Sequence, residues 1–410
     1  MPETGSKGTD GSRRTALSSA RGLADTRVVS TSTTPTPGRT RLVHVDNLKT
    51  VLVVWIIVGH ALLGYSAVGG WPYAEINEVV FDRRVDAVLT ALLGPTGLFV
   101  IGVFFFVAGL LAPGSLARKG ARRYTRERLL RLGAPFLVSV LLLWPLSMWL
   151  AYRAAGMSVS FWWVLVGRDP PFDSGSLWFA EVLLLISVGW AAWRSARPPA
   201  AGARTPWRGR RLGGVVVVLT VTTFLVRVWF PVRSGQPGDL HLWWWPQCVA
   251  MFGLGVVGSS LGWVQHVPDP LRRTASWLAG SVVAVLGLVA VVVMTSGRVP
   301  DLDLFLGGLR WQALVFAVAE SAVVVAGSLG LLGFAQRVLV HRGRFTATCA
   351  RAAYAAFVLQ GPVLLALATA ARPLAVGAEV KAPLVGAAAV AVSFGVGLLL
   401  VERTPLGRLL

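Results

Sequence analysis

Charge is what this chain has least of. Of its 410 residues 14% are charged, where soluble domains carry about 25%, and 54% are hydrophobic. An ordinary soluble domain is thereby excluded. Acids are scarcer than bases, with 19 Asp and Glu against 39 Lys and Arg. Two cysteines, Cys248 in an apolar stretch and Cys349 among basic residues, offer neither a disulfide framework nor a metal-ligand spacing. His44, His241, His266 and His341 fall in loops or helix ends and lack that spacing too. No glycine-rich phosphate loop, serine elbow or zinc signature occurs. Residues 1–40, rich in Ser, Thr, Gly, Pro and Arg, contain no apolar block of signal-peptide length. They read as a disordered cytoplasmic tail, inert or used for docking.

Long apolar runs fill the rest. A helix needs roughly 20 mostly apolar residues to cross the hydrocarbon core. Runs of that kind fall near 48–68, 86–112, 131–151, 176–193, 212–230, 243–264, 276–296, 310–334, 352–371 and 383–401. The expectation is an all-α fold, a polytopic membrane helix bundle of about ten transmembrane helices occupying residues 41–410. Residues 156–166, with Phe161, Trp162 and Trp163, are too short to span and are placed at the interface.

A net charge of +20 would suit nucleic acid, but the basic residues sit between the apolar runs. With a cytoplasmic N-terminus, 29 of the 39 fall in inner segments and 10 in outer ones, in unbroken alternation. Positive charge accumulates on the cytoplasmic side of membrane proteins. The count predicts both termini inside, a multi-pass protein of the cell membrane, the bilayer as partner and no nucleic acid. No inverted repeat of the transporter kind is visible.

The first run, LKTVLVVWIIVGH, ends on a histidine inside apolar sequence. At about 100° per residue, the steps from Lys49 to His60 close about three turns, so both share a stripe and His60 lies about 16 Å deeper. An ionisable residue at that depth is costly and faces a polar cavity or partner. Two roles fit: a functional ring, or an interhelical hydrogen bond.

Arg41-Leu-Val-His-Val-Asp46-Asn-Leu48-Lys49, then ten residues and His60, resembles the opening of the acyltransferase-3 family, integral membrane proteins that acylate extracytoplasmic carbohydrates and other acceptors. Residues 102–136 resemble its aromatic-rich span, basic loop and Arg-x-x-Arg, placed on Arg128 and Arg131, with Arg123 and Arg126 at the same spacing. SLWFAEVLLL, AAYAAFVLQGPVLLAL and ERTPLGRLL are similar to three later segments. The chain departs at Lys49, where Arg is commoner, at Ala108, often Ser, and at Gln360, often a second His. Gln hydrogen-bonds but cannot carry a proton away.

The resemblance implies an enzyme that moves an acyl group, acetyl or another short one, from cytoplasmic acyl-CoA to a hydroxyl of an extracytoplasmic carbohydrate or glycolipid of the cell envelope. Acyl-CoA would be the donor substrate, with no bound cofactor and no metal. Imidazole, with a reference pKa of about 6.5, suits the base that takes the hydroxyl proton. His60 is assigned that role, or brief carriage of the acyl group. Lys49 would steer the donor or stabilise developing charge. Arg128 and Arg131, three apart on a helix, would grip a coenzyme A phosphate as planar forks, or serve only as anchors.

Supporting candidates are Asp46, Glu181, Trp178, Glu320 and Gln360. Glu181 and Glu320 could orient an imidazole or pair with Arg227 or Arg310. Asp46 could simply pair with Lys49. Trp178 and the Trp243–Trp245 run could line a sugar site or anchor the interface. The rivals are a transporter or flippase relaying protons through His60 and the buried acids, and a lapsed family member serving as a scaffold.

Overall fold

The structure, a computed structural model, describes residues 42–67, 69–197, 209–232, 234–236, 240–296 and 303–408. The 1–40 tail lies outside the described residues. Among the described residues every regular element is helical: α1 (Val43–Gly64), α2 (Arg83–Arg128), α3 (Ala134–Val138), α4 (Trp144–Ala154), α5 (Trp178–Ala196), α6 (Gly209–Trp229), α7 (Trp245–Ser260), α8 (Asp269–Thr295), α9 (Asp303–Leu306), α10 (Trp311–Val338), α11 (Arg344–Ala371) and α12 (Ala378–Arg403). Helices satisfy their backbone polar groups internally, as lipid demands.

Eight helical stretches are long and apolar enough to cross a membrane. The difference from ten has two causes. The 56-residue stretch Phe99–Ala154 joins the 86–112 and 131–151 runs in one helical path that is long enough to cross twice, so it holds two of the expected spans. Helix α7 has 16 residues, short of the roughly 20 a crossing needs. The long path is broken at Gly120, whose φ of 72° suits a residue without Cβ. Beyond it, π turns at Leu129–Gly133 and Ser139–Leu143 precede α3 and α4. Pro135 and Pro145 follow those turns; each ring removes a backbone donor, and a wider turn accommodates the loss.

In lipid, apolar side chains gain little by leaving one another's company for a neighbour helix, so close backbone approach and polar contacts do the joining. Helices α2 and α7 approach that closely: a Cβ at Gly109 would lie 2.1 Å from the Phe252 carbonyl oxygen, and one at Gly255 2.1 Å from that of Phe106. Helices α6 and α10 are joined by charge. Arg227 donates to both Glu320 oxygens at 2.6 and 3.1 Å, and both side chains are buried. Helix α8 turns an apolar face outward, with Trp277 78% and Leu288 64% exposed, as a lipid-facing helix does. The 161–163 aromatics are also superficial, Trp162 most of all.

Polar ties hold the two ends. At one, Arg168 bonds Glu75 and Asp173, and Lys381 Nζ donates to Glu78 at 2.6 Å and to the Arg372 carbonyl at 3.1 Å. At the other, His44 donates to the Val264 carbonyl at 2.9 Å, Asn47 to those of Leu339 and His341, and Arg351 pairs with Glu402 at 2.8 Å. The first group belongs to connections with few basic residues, the second to those rich in them.

Candidate active site

Helix α1 starts at Val43, so Lys49 sits in its second turn and His60 in its penultimate one. Across from His60, α11 presents Gln360, fully buried. The His60 Nδ1 and Gln360 Oε1 lie 3.1 Å apart. An amide oxygen can only accept, so Nδ1 carries the proton and Nε2 keeps its lone pair. Trp71 stacks flat on the imidazole, with centroids 4.2 Å apart and planes 13° from parallel. Trp144 meets Trp71 edge-on at 5.6 Å. The ring is thus held on one edge and one face.

Trp71 belongs to the 65–82 connection, which is pinned on both sides. Asn77 donates to the Gly64 carbonyl at 3.0 Å, and Glu78 receives Lys381 and, at 2.7 Å, the Tyr73 hydroxyl. Burial works against the Glu78 charge, but the hydrogen bonds from Lys381 and Tyr73 hold its carboxyl below the usual range. The tie is therefore complete above the ordinary carboxylate range and is lost as pH falls through the lowered value.

A cavity of about 600 Å³ opens over His60, within the size range of ligand pockets. Ile56, Ile101, Phe104 and Phe357 line it near α1, Trp178 lines it from the start of α5, and Trp71, Glu75, Arg168, Asp173, His241 and Trp243 line it from the connections. Phe104, Phe179 and Phe357 pack ring against ring, at 5.4, 5.6 and 6.2 Å between centroids. A titratable ring with a free lone pair thus faces a chamber lined by aromatic and charged side chains, the layout of a proton-accepting site.

A model of the acyltransferase-3 family, an acyltransferase domain, matches residues 42–402. The chain belongs to this family. It is an acyltransferase, and its apolar helices make it a multi-pass membrane protein. No curated protein and no solved structure gives a significant match.

In this acyltransferase, His60, Gln360 and Trp178 meet at or beside the cavity, whereas the basic candidates stand apart from it. Lys49 and Asp46 form an ion pair at 3.8 Å, and neither lines the cavity. Arg128 lies over the Tyr124 ring at 5.2 Å. Arg131 falls in the π turn Leu129–Gly133, and its carbonyl accepts the Tyr354 hydroxyl. The 3.6-residue period that would align Arg128 with Arg131 does not run through a π turn, so their shared face does not follow from spacing. Arg123 is engaged with Glu127 at 3.2 Å.

Glu320, bound by Arg227, orients no imidazole. Glu181 keeps one buried carboxylate oxygen without a partner and stands outside the cavity lining. Ala108 packs against the apolar core. Trp178 and Trp243 line the cavity, and the Trp245 indole donates to the Leu240 carbonyl at 2.8 Å.

Five lining residues escaped sequence reasoning: Trp71, Glu75, Arg168, Asp173 and His241. All lie in connections, where the sequence shows no helical period to group them. The one signal was that Glu75 and Asp173 are rare acids in an acid-poor chain. Among the described residues no group of three His, Cys, Asp or Glu side chains is placed to hold a metal ion.

Gln360→Leu is expected to lower turnover by roughly tenfold or more, part of what a positioned base contributes. Gln360→Glu, whose carboxylate accepts the same proton, should retain most of it. Initial rates of both decide the matter, and a Leu variant as fast as wild type removes Gln360 from the site.

Proposed function

We propose that this membrane acyltransferase takes an acyl group, acetyl or another short one, from cytoplasmic acyl-CoA and transfers it to a hydroxyl of an extracytoplasmic carbohydrate or glycolipid at the plasma membrane. The observation that carries this reading is the His60 ring, its Nδ1–H bonded to Gln360 and its side open to the 600 Å³ cavity. Charge distribution supports the orientation. The connections around the cavity are poor in basic residues, while residues 118–131 at the other end contain seven, a distribution that supports an outer cavity and inner termini.

The acceptor hydroxyl enters the cavity and gives its proton to His60 Nε2 as its oxygen attacks the thioester carbonyl carbon. The tetrahedral intermediate then collapses. The new C–O bond remains, the C–S bond breaks, and coenzyme A leaves as the thiol with the proton His60 had taken. The donor arrives from the inner end, its phosphates among Lys49, Arg128, Arg131 and their neighbours. Its pantetheine arm passes where Phe104, Phe179 and Phe357 pack together, so those rings part during turnover.

The test places full-length protein in proteoliposomes, with labelled acetyl-CoA on one side and envelope glycan on the other. Label should appear on the glycan. Arg128→Ala and Arg131→Ala are each expected to raise the KM for acetyl-CoA about tenfold, the loss of one charge-assisted hydrogen bond, with the acceptor KM unchanged. Wild-type protein that moves solute but never label would overturn the reading.

A further inference from the structure

Arg168 gathers three partners at the cavity wall. Its guanidinium donates to the Asp173 and Glu75 carboxylates and to the Tyr152 hydroxyl at 3.1 Å. The Tyr152 hydroxyl in turn donates to Glu75 at 2.5 Å. Two carboxylates against one guanidinium leave a net negative charge. The Arg168 and Asp173 side chains are only 12% and 11% exposed, while Glu75, at 44%, forms the outward face of the cluster. Asp169 adds to it from behind Gly235, where a Cβ would lie 2.9 Å from the Asp169 carboxylate; Gly235 also lines the cavity.

The aromatic lining has a different character. Trp178 and His241 stack with centroids 4.6 Å apart, and Trp243 tilts against His241 at 4.7 Å. His241 holds a φ of 48°, a conformation that costs a non-glycine residue of order 1–3 kcal/mol and concentrates at functional sites. Trp243 is 6% exposed, so its ring forms a fixed part of the wall.

We propose that this cavity is the acceptor subsite and that it takes a sugar ring bearing no negative charge. A pyranoside offers C–H faces to the aromatic side chains and hydroxyls to Glu75, the exposed acid of the lining. The Glu75–Asp173–Arg168 cluster repels uronates and other acidic sugars. The proposal rests on the acyl-transfer reading for the fate of the bound hydroxyl, but not for the binding itself.

Saturation-transfer NMR on the full chain in nanodiscs tests it with methyl glucopyranoside, glucosamine and glucuronate as probes. The neutral or the cationic sugar should receive saturation and glucuronate should not. Trp178→Ala should abolish the signal. Glu75→Gln, and separately Asp173→Asn, should raise glucuronate binding at least about tenfold by removing like-charge repulsion. Retained binding of the other two sugars shows that each variant still folds.

Glucuronate bound by wild type as well as the neutral sugar overturns the charge rule, and silence from all three probes overturns the subsite. Sugar binding with this selectivity, without acetyl transfer from acetyl-CoA, leaves the subsite standing and removes the acyl-transfer reading. Transfer with no dependence on Trp178 does the reverse.

Discussion

His60→Ala is expected to lower acyl transfer by at least about 100-fold, the lower end of what a positioned base contributes, in a protein that still inserts in the membrane. The ring is the titratable group seated between Gln360 and Trp71 at the edge of the cavity. Removing it leaves no base there to take the hydroxyl proton. It also deprives the buried Gln360 oxygen of its donor, which costs roughly 1–3 kcal/mol of stability. The two effects separate with His60→Asn, whose amide N–H can replace the Nδ1 donor but cannot accept a proton. Asn should restore the melting temperature without restoring turnover. Wild-type turnover in either variant would take His60 out of the chemistry.

The second large effect concerns the fold. Arg227→Leu should destabilise the protein by about 3–5 kcal/mol, because breaking a buried ion pair strands the remaining charge. Glu320 is 3% exposed, accepts two hydrogen bonds from Arg227, and would have to be protonated or hydrated in place. The double variant Arg227→Leu, Glu320→Leu should recover most of the loss, since paired apolar replacements of a buried ion pair are often near neutral. Thermal unfolding in detergent measures both. A single variant as stable as wild type would mean that water reaches the pair.

Long apolar runs and the distribution of charge make the helical architecture legible in the sequence. Apolar runs as long as 310–334 admit few alternatives, since a backbone in lipid must pair its own polar groups. Hydropathy dips in the basic 118–131 segment, which separates two apolar runs in the sequence. The structure keeps that segment helical and breaks only at Gly120. Helix α7 was read as longer than it is, because Trp243 and Trp244 are apolar enough to extend the run although they form a separate 3-10 turn.

The site divided along the same line. His60 stood out because a charge-capable ring in an apolar run is costly. Gln360 stood out only against the family pattern. Glu181 and Glu320 have the same sequence signature, a lone acid in an apolar helix, and one partner, Arg227, separates them. No period of helix or strand relates Arg168 to Glu75, 93 residues away, or Trp178 to His241.

By itself the sequence determined that this is a membrane-spanning helical protein, which way its charge asymmetry runs, and that His60 is the titratable ring to explain. Those follow from composition and local period, which each segment carries alone. The tertiary structure decided which residues surround that ring, that Lys49 answers to Asp46 instead of to the cavity, and that Glu320 belongs to Arg227. Such pairings depend on where distant connections converge. That convergence is set by backbone contacts such as Gly109 against Phe252, which no single segment specifies.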